Sequence, residues 1–472
     1  MSTKLIYNII LDNFFKYLPS RILVIFNSLF IVPFFVHVLS TKEVGIYQII
    51  IGILNLLCTC SSDWIAKSSL RFYEKYKLQD KLPQFFSNVL FISIFTYFLI
   101  FISFILFGGI VSEKLFIPQS TLALILILII PCGFRQFLYQ MLRIFNKPFL
   151  YTFSIVIYQL AHLSLFLLLF NICDNLKAIL ISMALSMVVI DFYIVKKIQM
   201  KTSLIPHINS NMIKECLIYS IPTIFTNTCL WMLLHLNKFI FQRAELFDYT
   251  AIAGIAWVYT SYILTPLLST FLFAVFPIII KKFENKREIK SATTGTIQLF
   301  CILFLPIVTS FILYSKEITN TVFPLEYKQA FIIIPFFALT IFLHELMKIF
   351  NIKYHLQNKT YIEMLITLFS AIICIFLNIK LIPMFNLLGA GIAMIISIIT
   401  LFGLNSLIHF KNFDYINPYK IFKTNILSLS IGAAIYCIIN FVWKPEIQIL
   451  APIIYLLLFY TIIWKFKNRI LN

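Results

Sequence analysis

Phe91-Ile-Ser-Ile-Phe-Thr-Tyr-Phe-Leu-Ile-Phe-Ile-Ser-Phe-Ile-Leu-Phe107 carries no charge and no alternation of polar with apolar positions. With its flanks it forms an apolar stretch at 85–107. A helix needs roughly 20 such residues to cross the hydrocarbon of a bilayer. Thr121 to Pro131 repeats the pattern. Over the whole chain of 472 residues, 61% are hydrophobic and 12% charged. An ordinary soluble domain carries about 25% charged residues. The unbroken runs also exclude an outer-membrane barrel, whose strands alternate polar with apolar residues. Disordered, collagen-like and disulfide-scaffold chains are excluded by the same composition. The sequence therefore predicts an all-α polytopic membrane protein with about 14 transmembrane helices, at roughly 20 apolar residues each.

Charge sets the orientation. Lys plus Arg is 38 and Asp plus Glu is 19, a net charge of +19. In a soluble protein this excess would point to nucleic acid. In a membrane protein it reads as the surplus of cations kept on the cytoplasmic side. No nucleic-acid partner is expected. With both termini placed inside, all but nine of the 38 Lys and Arg fall in cytoplasmic segments or at their helix ends. The expected topology is multi-pass with both termini cytoplasmic. Met1 to Asn13 carries Lys4 and Asp12 and does not read as a signal peptide, so the first apolar run is expected to be a retained span. The nine cysteines form no C-x-x-C pair and no metal-ligand spacing.

The longest central polar loop, 196–214, divides the spans. It predicts a six-helix bundle over 1–195, a cytoplasmic linker at 196–214, a second six-helix bundle over 215–410, and two additional helices in 411–472. An even number of spans in each half makes the halves parallel pseudo-repeats. Tyr17-Leu18-Pro19 and Tyr219-Ser220-Ile221-Pro222, each followed by an asparagine at Asn27 and Asn227, are a faint internal echo. No extramembrane loop is long enough for a catalytic or nucleotide-binding domain, and no phosphate-binding loop or nucleophile motif occurs. No enzymatic activity and no resident cofactor are expected.

Four stretches carry a resemblance. Leu39-Ser-Thr-Lys-Glu-Val-Gly-Ile-Tyr47 opens the second span, and Asp63-Trp-Ile-Ala-Lys-Ser-Ser-Leu-Arg-Phe-Tyr-Glu-Lys-Tyr76 leaves it. Tyr219-Ser-Ile-Pro-Thr through Asn237-Lys-Phe239 covers the seventh. Leu377-Asn-Ile-Lys-Leu-Ile-Pro383 precedes Leu388-Gly-Ala-Gly-Ile-Ala393. In order and spacing these resemble the polysaccharide repeat-unit (Wzx-like) flippases of the multidrug/oligosaccharidyl-lipid/polysaccharide exporter superfamily. Lys238 departs from the family, which often has an acidic-Arg pair there. The resemblance implies a carrier of a polyprenyl-diphosphate-linked oligosaccharide for O-antigen or capsule assembly, located in a bacterial cytoplasmic (inner) membrane. It further implies membrane lipids, a polysaccharide polymerase and a chain-length regulator as partners, and H+ or Na+ as coupling ion.

The candidate residues follow from what such a headgroup needs. A diphosphate wants cations inside the membrane. An unpaired Arg at the bilayer centre costs roughly 2.5 to 3.5 kcal/mol on insertion scales, so Arg21 and Arg135, both within spans, are expected to face protein or water. Snorkelling to the interface is the plainer alternative. Lys238, at the outer end of span seven, joins them as a substrate-binding cation. Arg143 reads as a positive-inside anchor. Asp63, Glu345 and His162 are the candidates for coupling or gating, with Asp191 and Glu363 as further carboxylates near spans. Glu345 and Lys348 are three apart and can pair on one helix face. Trp231, Trp257, Tyr259 and Tyr262 are candidates for stacking on sugars, against the plainer reading of packing or an interfacial belt. The rival functions are a multidrug exporter, a peptidoglycan-precursor flippase and a membrane-embedded polysaccharide polymerase.

Overall fold

A computed structural model describes residues 21–22, 25, 33–145, 147–198, 208–281, 286–357, 359–412, 429–437 and 451–470. Among these residues every regular element is helical. The first rod is α1 (Thr41–Cys58), a π-helical turn (Thr59–Asp63) and α2 (Trp64–Leu78) in direct succession. Then come α3 (Leu82–Leu115), α4 (Gln119–Ile144), α5 (Pro148–Leu169), α6 (Asn175–Ile198) and α7 (Ser210–Arg243). They are followed by α8 (Phe247–Lys281), α9 (Lys286–Leu313), the short α10 (Ser315–Val322), a 3-10 segment (Leu325–Ile332) and α11 (Ile334–Leu356). The last two are α12 (Thr360–Asn412) and α13 (Ala451–Ile470).

Ten helices among the described residues are long and apolar enough to span a bilayer. One of them, Thr360–Ile408, covers 49 residues and accounts for two expected spans. Its α-helical path breaks at Asn386, whose φ of 49° lies in the left-handed region. The ten therefore occupy the positions of expected spans two to twelve, and the chain is a multi-pass membrane protein. Most of the expected first and thirteenth spans lies outside the described residues. α3 has only 11% of its apolar window buried, against 67% for the window at Thr293–Leu313. The former exposes Phe91, Phe95, Phe98, Phe101 and Phe107, as a lipid-facing helix would; the latter is enclosed by protein.

Local chemistry explains where the helices begin. Ser40 and Glu43 form a reciprocal capping box at the start of α1. Ser40 Oγ accepts from the Glu43 N–H at 3.3 Å, and Glu43 Oε2 accepts from the Ser40 N–H at 2.9 Å. Two otherwise orphaned donors are thus satisfied, an arrangement worth about 1 kcal/mol. Two residues on, a Cβ at Gly45 would stand 3.1 Å from the Phe247 carbonyl oxygen. That is the physical content of the Leu39–Tyr47 motif: a cap followed by a close helix approach.

The chain groups into two compact units. The first comprises Leu39–Ala251 with Thr360–Ala371, and the second Met1–Val38, Ile252–Lys359 and Ile372–Asn472. By contact, α7 packs with α1 to α3 in the first unit, so this grouping does not follow the linker at 196–214. In the first unit, one apolar cluster gathers Phe85, Phe86, Phe137 and Ile194, and another gathers Ile49, Leu54, Ile125 and Leu128. The start of α7 is tied to the end of α2: Lys75 Nζ meets Glu215 Oε1 at 2.5 Å, and Tyr76 OH donates to Glu215 Oε2 at 2.7 Å. Burial, reinforced by the Glu215 carboxylate, pushes the Tyr76 phenol up, so it stays a donor. In the second unit, Tyr314, Tyr455 and Phe459 form a buried cluster that fastens α13 to the end of α9.

Candidate functional site

The first unit holds a polar kernel around the π-helical turn. A π turn shifts the side-chain register of a helix and often marks a functional position. Here it brings Ser61 and Ser62 to the interior, where Ser62 Oγ lies 2.7 Å from Tyr97 OH of α3. Gly133 of α4 faces the same spot, and a Cβ there would overlap Ser62 Oγ and Tyr97 OH. Asp63 closes the turn. Its Oδ2 accepts from Asn227 Nδ2 of α7 at 2.7 Å and from Lys67 Nζ at 2.9 Å. The sequence places Asp63 near a span end; the helix in fact continues to Leu78, so Asp63 lies inside a continuous rod.

A second cluster lies between α4, α5 and α6. Arg135 Nε donates to Asp191 Oδ1 at 3.1 Å, with side chains only 7% and 5% exposed. The Arg135 guanidinium carbon sits 4.0 Å from the centre of the Tyr158 ring on α5. His162 stacks on Tyr158, 5.9 Å between ring centres, and its Nε2 lies 3.3 Å from the Ile179 carbonyl. Arg135 thus faces protein and does not snorkel. The ion pair joins residues 56 apart in sequence, on different helices. The sequence shows both charges but not their pairing. The signal that finds the pair is the cost of an isolated charge in an apolar helix, which demands a partner of opposite sign.

Lys238 belongs to α7, which runs on to Arg243 instead of ending at 237. The residue is 3% exposed. Asn237 Oδ1 accepts from the Lys238 backbone N–H at 2.7 Å. His235 lies three residues earlier on the same helix. No carboxylate among the described residues lies within 4.0 Å of the ammonium. Arg21 is described as a partly exposed helical residue of the second unit. In that unit, Glu345 of α11 is 1% exposed; Lys348 Nζ lies 2.5 Å from its Oε1, and His344 Nδ1 lies 3.8 Å away. The expected three-residue pairing on one face is present.

The aromatic candidates are mostly occupied. Trp231 Nε1 donates to the Gly52 carbonyl at 3.1 Å, Trp257 packs edge-on to Phe337, and Tyr259 packs against Phe323. Tyr262 is 47% exposed.

No family model matches the chain. No curated protein matches it either. Solved structures do. The inward closed conformation of the lipid II flippase MurJ aligns over 96% of this chain and 98% of its own, with a TM-score of 0.71 and 16% identity. The MATE multidrug transporter DinF-BH aligns over 87% of this chain and 95% of its own, at 0.64 and 14%. An inward-facing multidrug resistance MATE family transporter of the MOP superfamily covers 82% of this chain and 94% of its own, at 0.61 and 12%. At such identities the likeness establishes the fold: the chain has the helical architecture of these transporters.

Proposed function

We propose that the chain is a flippase of the MOP superfamily, a transporter and not an enzyme. Its cargo is a polyprenyl-diphosphate-linked oligosaccharide repeat unit, moved from the cytoplasmic to the outer leaflet by alternating access, for O-antigen or capsular polysaccharide assembly. The lipid tail can remain in the bilayer, but the sugars and diphosphate lose their water in hydrocarbon and need a polar, cationic passage. Lys238 carries this reading. It is a buried cation in a spanning helix with no carboxylate beside it among the described residues, which suits an anionic headgroup and repels a cationic drug. Arg21 and Arg135 are proposed as further headgroup cations, Arg135 after release from Asp191. The four motifs of the sequence resemblance support the same cargo.

A second reading, a flippase for the lipid-linked peptidoglycan precursor, is favoured by the MurJ likeness along nearly the full chain. One experiment separates the two. The gene is deleted, and surface polysaccharide and lipid-linked intermediates are extracted. The expected result is loss of the surface polymer with single repeat units held on the inner leaflet, restored by the wild-type chain but not by Lys238→Glu at equal protein level. Accumulation of the peptidoglycan precursor would establish the second reading. Repeat units reaching the outer leaflet unpolymerised would place the protein in polymerisation, and intact polymer with altered drug sensitivity would make it an exporter.

A further inference from the structure

The Arg135–Asp191 pair is buried yet half satisfied. One N–H···O contact joins it, through Nε and Oδ1. Asp191 Oδ2 and Arg135 Nη2 are buried and have no hydrogen-bond partner among the described residues. A guanidinium normally binds a carboxylate with two parallel hydrogen bonds, and only that geometry offsets the loss of water from both charges. Here the second bond is missing. Arg135 instead divides itself between Asp191 and the Tyr158 ring. A carboxylate with one bare oxygen in a dry site gains by taking up a proton there.

The surroundings restrict what else can bind. α6 packs against α4 and α5. From α4 comes Arg135, paired with Asp191, with Cys132 and Tyr139 about one turn to either side of it on that helix. From α5 comes Tyr158, with His162 stacked behind it. A metal cation at Oδ2 would be repelled by the guanidinium. The other candidate carboxylates differ. Asp63 Oδ2 already accepts from two donors; Glu345 Oε2 is also buried without a hydrogen-bond partner among the described residues, but the Lys348 side chain that pairs Glu345 is 42% exposed and reaches the surface.

We infer that Asp191 is a proton-exchanging carboxyl: a proton from water adds to Oδ2, the charge on the side chain goes from negative to neutral, and Arg135 is left to the Tyr158 ring. Release returns the proton to water and restores the ion pair. On the transport reading above, on which this role rests, this makes a proton the coupling ion and frees Arg135 for an anion in one half of the cycle.

The test reads the proton and not the transport. Purified full-length protein in lipid vesicles is titrated from alkaline to mildly acid pH by infrared difference spectroscopy. The expected result is a protonated-carboxyl band that Asp191→Asn lacks and Glu345→Gln keeps. Because Asp191→Asn can fail to fold, wild-type protein carrying carboxyl-labelled aspartate is measured alongside; its band should shift by the isotope effect. A band unmoved by the label, or a spectrum of folded Asp191→Asn equal to wild type, overturns the inference. Normal polysaccharide in the deletion strain with the band present would instead defeat the flippase reading alone.

Discussion

At the residue scale, the buried charges separate what one helix reveals from what requires two. Glu345 and Lys348 sit three apart on one helix, so their pairing follows from helical geometry alone. Arg135 and Asp191 meet only because α4 and α6 pack together, and no spacing rule encodes that. This pair makes a prediction about stability. Removing one member of a buried pair strands the other and costs about 3 to 5 kcal/mol, whereas replacing both by apolar residues of similar volume is near neutral. Arg135→Met alone should therefore lower the unfolding midpoint of detergent-purified protein strongly, and Arg135→Met with Asp191→Leu should recover most of it. If the double variant is as unstable as the sum of the singles, the pair is not coupled. A second residue-level expectation concerns the cap of α1. Ser40→Ala removes the acceptor for the Glu43 N–H and should cost about 1 kcal/mol, with Ser40→Thr close to wild type. The same melting experiment checks it, and equal melting of both variants would count against the cap.

At the element scale, the spans were legible and their ends were not. Apolar runs predict 85–107 and 215–237, but the helices extend over Leu82–Leu115 and Ser210–Arg243. Polar end residues are kept helical by contacts that a hydropathy reading does not see. Asn209, for one, caps α7 by accepting from the backbone of Asn211 and Met212. The π turn is likewise hidden, because the hydropathy sum that identifies a span does not record the side-chain register that the extra residue shifts. It is visible only through what it positions: Ser62 against Tyr97 and Asp63 against Asn227. Gly133 is the element-level test of that arrangement. Any side chain there must displace Ser62 and Tyr97. Overpacking a well-filled interior costs about 1 to 3 kcal/mol. Gly133→Leu should therefore reduce folded protein recovered by size exclusion, and adding Tyr97→Ala should relieve the clash. Wild-type yield and melting for the single variant would show that α4 does not approach the π turn this closely.

At the scale of the whole molecule, composition decides the class, and charge predicts the direction. The described helices confirm a multi-pass chain, yet helices alone have no inside or outside. The asymmetry of 38 cations supplies one. Lys67 to Lys81 and Lys281 to Lys290 are the richest basic stretches, while Ser40 to Val44 and Asn171 to Asn175 are short and nearly free of positive charge. Cations near span ends resist translocation, and anions count for little, so the basic stretches should stay in the cytoplasm. With an even number of spans, both termini then lie there too. Reporters fused at the two ends, and within each of these four segments, make the test. A fluorescent protein that matures only in the cytoplasm should light at both termini and in both basic stretches. Alkaline phosphatase, active only outside, should report from the two short loops. The orientation also bears on the pair at α4 and α6. Lys196 and Lys197 lie in the last turn of α6, and on the orientation predicted here Asp191 lies about two turns from the cytoplasmic end of its helix at Ile198, at roughly 1.5 Å per residue. A proton would then enter or leave Asp191 most directly from the cytoplasm. Should phosphatase activity appear at the termini instead, the whole layout inverts, and the same proton path would open to the outer face.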